Sequence, residues 1–156
     1  MKIVRLIVSI AICQLAGMIG GIFTYSSIPT WYAVLRKPIF IPPNWVFGPA
    51  WITLYFLMGI ALYLVWEKGT ENEAVRAGLL VFGIQLILNM LWSIIFFGLR
   101  APLYAFVEIV VLWGAILATI LKFNRVSRAA AWLLTPYVLW VTFAAALNFS
   151  IYWINR

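Results

Sequence analysis

Five stretches of this chain lack the charged residues that a water-exposed helix needs. No Asp, Glu, Lys or Arg lies between Arg5 and Arg36, between Lys37 and Glu67, between Arg76 and Arg100, or between Arg128 and Arg156. A further stretch, Arg100 to Lys122, holds one ionisable residue, Glu108. Each is long enough to supply the ~20 residues that carry a helix across a bilayer core. The runs are unbroken rather than alternating in polarity, which argues against membrane β-strands. The pattern therefore predicts an all-α membrane protein, a five-transmembrane-helix bundle forming one domain over 1–156. Its spans fall near 5–27, 47–66, 77–98, 102–122 and 129–153. The apolar run of the first span exceeds a signal-peptide core of roughly 7–15 residues and no A-x-A site closes it, so it is expected to stay as a helix. A chain with 66% hydrophobic and 10% charged residues is consistent with nothing soluble, since soluble domains carry about 25% charge.

The same composition removes whole classes of chemistry. There are no histidines, so imidazole ligation of haem or metal and His-based acid–base catalysis are excluded. One cysteine, Cys13, cannot make an internal disulfide or hold an iron–sulfur cluster. No metal site or required cofactor is expected. The net charge of +7 fits loops beside anionic lipid headgroups better than a nucleic-acid partner. Lys2, Arg5, Lys68, Arg76, Lys122, Arg125 and Arg128 fall on one side of the membrane, against Arg36, Lys37, Arg100 and Arg156 on the other. That excess predicts an inside N-terminus and an outside C-terminus. The expected location is the cell membrane of a prokaryote.

The link between the first two spans is unlike a solvated linker. It reads IPTWYAVLRKPIFIPPNWV, with four prolines among Trp31, Tyr32, Phe40 and Trp45. Proline fixes φ and lacks an N–H, so this segment cannot be one helix. Two readings stand side by side: an interfacial anchor, because Trp and Tyr favour the headgroup zone, or a folded lid over the bundle. Within the spans, Gln85, Asn89 and Ser93 recur every four residues beside Trp92 and Phe96, and Trp140, Ala144 and Asn148 do the same. Such stripes serve either as interhelical hydrogen bonds worth roughly 0.6 kcal/mol each, or as the lining of an aromatic cavity with few polar groups. Pro136 is expected to kink the last span. Glu108 is the only acid inside a span; it is either structural, snorkelling toward the nearby loop, or functional. Gly17 and Gly21 make a G-x-x-x-G spacing suited to close helix contact within or between chains.

The run WYAVLRKPIFIPPNWVFGPAW at 31–51 closely resembles the first-loop motif of the translocator protein family. These are the TspO/MBR or tryptophan-rich sensory proteins, relatives of the peripheral-type benzodiazepine receptor. The blocks QLILNMLWSIIFFGLR at 85–100 and LLTPYVLWVTFAAALNFSIYWIN at 133–155 are similar too. The resemblance implies a long first loop capping a pocket for porphyrins and isoquinoline-type ligands, and a homodimer. The positions matching the family's pocket are Tyr32, Pro42, Trp45, Trp51, Asn89, Trp92, Trp140, Phe143, Ala144 and Leu147. It also implies that Trp51 and Trp140 would act in any light-dependent porphyrin breakdown. The sterol-recognition pattern of animal relatives is broken here by Phe149 and Trp153, so sterol is a doubtful partner.

Three functions follow as expectations. The first is a membrane receptor or binding protein for porphyrin-like ligands, linked to transport, sensing or stress regulation. The second is a porphyrin-degrading enzyme working through the same tryptophans. The third is a small multidrug antiporter using Glu108. No acid–base pair supports conventional catalysis. Arg36 or Lys37 is expected to meet a ligand carboxylate at the cavity mouth.

Overall fold

The computed structural model describes residues 1–156 and is all-helical. Helix α1 covers Lys2–Ser27, α2 is a single turn at Trp31–Val34, and α3 covers Asn44–Trp66. Helix α4 covers Glu73–Ser93 and runs on into a π-helical turn, Ile94–Gly98. Helix α5 covers Pro102–Asn124, and the last span is divided into α6, Arg128–Leu133, and α7, Thr135–Ile154. Five spans are long and apolar enough to cross a membrane, so the expected five-helix membrane bundle is borne out. The protein is an integral, multi-pass membrane protein.

Local chemistry sets the helix ends. The Asn72 side chain accepts a hydrogen bond from the Ala74 N–H at 2.9 Å and caps α4, and Ser127 Oγ caps α6 through the Ala130 N–H. Pro102 opens α5, where its missing N–H costs nothing. At Pro136 the expected kink takes the form of a break: the last span is interrupted at Leu134, and the proline lies in the first turn of α7. Its ring is accommodated there because the first helical turn needs no intrahelical donors.

Large apolar residues face outward in stripes, such as Leu80, Ile84, Ile87 and Leu91 on α4 and Leu103, Val107, Val110 and Val111 on α5. In water that surface would be unfavourable; against lipid it is matched. Inside, α1 packs on α3 and α4, α5 on α4 and α7, and α6 on α3. Of the G-x-x-x-G pair only Gly17 makes a close interhelical contact, where a Cβ would run into the Tyr55 ring, and from α3 a Cβ at Gly59 would come within 2.6 Å of the Ile10 Cα. Gly59 lets the α1 and α3 backbones approach at Ile10, and Gly17 seats the Tyr55 ring against α1. Where the start of α1 meets the end of α3, Lys2 Nζ meets Glu67 Oε1 at 2.8 Å and holds the Glu67 carboxyl below the usual carboxylate range. The pair is exposed to water and contributes little to stability.

The interior is two apolar clusters rather than one. The larger fills the half of the bundle near the N-terminus, around Met58, Val65, Phe82, Leu112, Phe123 and Tyr137. The smaller gathers Tyr32, Phe96, Phe97, Ala105, Leu147 and Ile151 beneath the long first loop. The candidate site lies between them.

Candidate functional site: an indole-lined cavity between two cores

The first loop is shaped by the aromatic floor on which it rests. Tyr32 is buried, 5.6 Å from the Phe97 ring centroid, and Trp31 stands edge-on to Phe96 at 5.6 Å. Phe96 and Phe97 both belong to the π-helical turn, and both are buried. The Phe97 carbonyl accepts a 2.8 Å hydrogen bond from Ser27 Oγ at the end of α1. Further along, Asn155 grips the loop backbone: the Arg36 N–H donates to Asn155 Oδ1 at 2.9 Å, and Asn155 Nδ2 donates to the Arg36 carbonyl at 2.8 Å. The Lys37 ammonium lies 4.7 Å from the Tyr32 ring centroid and donates to the Leu35 carbonyl at 3.2 Å. Burial pushes the Tyr32 phenol up to about 12.

Between this floor and the larger core is a cavity of about 550 Å³. Its size lies in the range of small-molecule sites, roughly 300–1,000 Å³. Trp51 and Trp140 meet edge to face, ring centroids 6.5 Å apart and planes at 86°, so that α3 and α7 together present one indole wall to it. Trp51 also stacks on Tyr55, and Phe47 stands edge-on to Trp140. From α4, Trp92 lines the wall and stacks on Phe96 at 5.2 Å. Its Nε1–H donates to Asn148 Oδ1 at 3.0 Å, and Asn148 Nδ2 donates in turn to the Pro102 carbonyl. That pair fixes the plane of Trp92. The buried Trp140 Nε1–H has no protein acceptor.

Of the positions singled out by sequence, Tyr32, Trp45, Trp51, Trp92, Trp140, Ala144 and Leu147 line this cavity. Pro42, Asn89 and Phe143 do not. Asn89 is consumed in a buried chain: Tyr55 O–H donates to its Oδ1, its Nδ2 donates to the Tyr137 oxygen at 2.8 Å, and Tyr137 O–H donates to Gln85 Oε1 at 2.8 Å. Gln85 and Asn89 thus act as interhelical hydrogen-bonding groups, while Ser93 on the same stripe reaches the cavity. Phe143 sits behind the wall, against Trp140 and Phe40. Arg36 and Lys37 are also absent from the lining; Arg36 is exposed on the loop, and Lys37 covers Tyr32. Glu108 lies outside the cavity, and it does not snorkel: both carboxylate oxygens are buried without a hydrogen-bond partner.

Sequence reasoning missed the α1 wall, including Gln14, Gly17, Gly21 and Thr24, together with Phe47, Tyr55 and the Asn155 clamp. Tyr55 was within reach, since it stands one turn after Trp51 on the same helical face. The α1 residues carry no such signal, being a run of small and weakly polar groups.

The sequence is similar to those of known proteins over nearly its whole length. The TspO/MBR family model matches residues 9–154. The chain is 49% identical to the tryptophan-rich protein TspO of Archaeoglobus fulgidus, with 99% of each chain covered. It is 41% identical to the human translocator protein, over 89% of this chain and 83% of that one. It is 37% identical to the tryptophan-rich sensory protein of Cereibacter sphaeroides, over 80% of this chain and 77% of that one. With a five-span bundle, an aromatic first loop and a match over nearly its whole length, the chain belongs to the TspO/MBR family.

Proposed function

We propose that this protein is a membrane receptor for porphyrins and related flat hydrophobic ligands, bound in the cavity between the two cores. A membrane binding or sensing role follows from the family, whose members include proteins named translocator protein and tryptophan-rich sensory protein. The observation that carries the finer reading is the lining itself: Trp51, Trp92 and Trp140 converge with Tyr32 and Tyr55 on one apolar space. A tetrapyrrole is a broad aromatic plate, and aromatic pairs gain about 0.5–1.5 kcal/mol beyond the area they bury. Ser93 and Asn148 are among the few polar side chains that line the space with the indoles. Ala144 keeps the α7 wall low, where a larger side chain would intrude. With no histidine to ligate iron, metal-free porphyrin should bind at least as well as haem.

A second reading, light-driven breakdown of the bound porphyrin, is favoured by the close Trp51–Trp140 pair. One titration separates the two. Protoporphyrin IX is added to the purified protein while tryptophan emission is followed in darkness and under illumination. Saturable quenching with an unchanged porphyrin spectrum in both supports a receptor. New absorbance bands that appear only in light, and vanish in Trp51→Phe or Trp140→Phe, support breakdown. An absence of saturable quenching overturns both.

A further inference from the structure

We propose that the cavity opens sideways into the bilayer, through a slit between the loop-side halves of α1 and α3, and takes its ligand from the membrane rather than from water. The proposal rests on the reading of the cavity as the binding site.

The two helices are in intimate contact over one half of their length and part over the other. In the closed half, Gly59 faces the Ile10 backbone and Gly17 faces the Tyr55 ring, with no room for a Cβ at either. One turn beyond, the arrangement reverses. A Cβ at Gly21 would meet only Tyr25 of its own helix, at 3.5 Å, and a Cβ at Gly48 would meet nothing within 4 Å. Both glycines nevertheless line the cavity. The point of divergence is marked by Gln14, whose Nε2 donates to the Ile52 carbonyl at 3.1 Å and ties the helices together below the slit.

The exposure of the lining says which way the slit faces. Met18, Tyr25, Trp45 and Ile52 all border the cavity, yet are 65%, 70%, 74% and 60% exposed. Met18 and Ile52 lie well inside membrane-spanning helices, at the level of the acyl chains, while Tyr25 and Trp45 stand in the end turns above them. The first loop, by contrast, is anchored at Tyr32, at Ser27 and by the paired Asn155 contacts, leaving the slit as the wall held least.

Depth fixes the class of ligand. Gly21 lies roughly 9 Å of helix rise from the end of α1 at Ser27. Trp45 and Gly48 fall in the opening turns of α3. Tyr25 and Trp45 frame the mouth with side chains that favour the headgroup boundary. A planar amphiphile whose ring lies among the upper acyl chains and whose carboxylates stay among headgroups is already at this level. Entry by lateral diffusion would keep its apolar plate out of water throughout.

The test uses the full-length protein in phosphatidylcholine vesicles, with protoporphyrin IX as probe and tryptophan quenching as readout. In Gly48→Leu and Gly21→Leu, whose added side chains project into the open slit, association and dissociation should both slow in parallel by about tenfold. At fixed total porphyrin, the association rate should follow its mole fraction in lipid as the lipid is varied. Asn155→Ala, which frees the loop, should leave both rates within about twofold of the parent. The proposal is overturned if both glycine variants exchange ligand at the parental rate, if faster dissociation alone explains their behaviour, or if association tracks aqueous porphyrin. Accelerated exchange in Asn155→Ala, or crosslinking of Met18→Cys between two copies across the slit, would also overturn it. Those results leave the cavity reading intact, whereas no saturable quenching in the parent protein defeats the cavity reading itself.

Discussion

Tyr137 shows how a single hydroxyl organises this interior. It accepts from Asn89 and donates to Gln85, and Asn89 in turn accepts from Tyr55, so three helices share one buried chain. Tyr137→Phe removes the middle of that chain and leaves an amide donor and an amide acceptor unpaired. Unpaired buried polar groups cost about 1–3 kcal/mol each, so the variant should lose stability of that order, measured by thermal unfolding in detergent. Tyr32 gives a second test at this scale. Its phenol titrates near 12 in the folded loop against an ordinary 10.0. The folded state therefore holds this proton more tightly. The resulting stabilisation is complete below pH 10 and is lost as pH rises through about 12. Tyrosinate absorbance, taken as the difference between the parent and Tyr32→Phe, should show that late titration. A transition at the ordinary value would mean that the ring is not buried under the loop.

Among the elements, the pairing of α1 with α3 depends on where glycine stands. Gly59→Ala would force a Cβ against the Ile10 backbone, which cannot swing aside, and overpacking of this kind costs about 1–3 kcal/mol. Gly83→Ala, whose Cβ meets open space, should be neutral or slightly stabilising because alanine favours the helix. Comparing the two melting temperatures checks the claim without reference to any ligand. For the loop, Asn155→Ala removes both contacts to the Arg36 backbone, so hydrogen exchange at the Arg36 amide should accelerate while exchange within α5 stays unchanged.

These elements also show what could be read without coordinates. The spans were legible because a bilayer disfavours charge, although the charge-free gaps run well past the helix ends into the first loop, Arg5 to Arg36 against a helix that ends at Ser27 and Lys37 to Glu67 against one that begins at Asn44. The partition of the polar stripes was not legible. Gln85, Asn89 and Ser93 look alike at four-residue spacing, and only the approach of Tyr55 and Tyr137 decides that two of them face partners and the third a cavity. The α1 wall was silent for a related reason: Gly17 and Gly21 have the same sequence signature, yet one is pressed against a ring and the other borders open space.

At the scale of the whole molecule, the division of the interior into two apolar clusters is what makes room for a ligand. A single continuous core would close-pack and leave no space of this size. Here the loop-side cluster is built on the π-helical turn and the first loop, while the larger cluster is built on the helices below, and the indoles bridge what lies between. The surplus of tryptophan thus has two structural destinations. Trp132 and Trp153 are exposed on the lipid-facing or interfacial surface, whereas Trp51, Trp92 and Trp140 are turned inward. The most direct test of the account is therefore a comparison of protoporphyrin IX dissociation constants in Trp51→Leu, Trp140→Leu and Trp132→Leu. Each cavity variant should weaken binding by about tenfold, the equivalent of ~1.4 kcal/mol, while Trp132→Leu binds as the parent does. Equal affinities in all three would contradict the placement of the ligand against the cavity indoles.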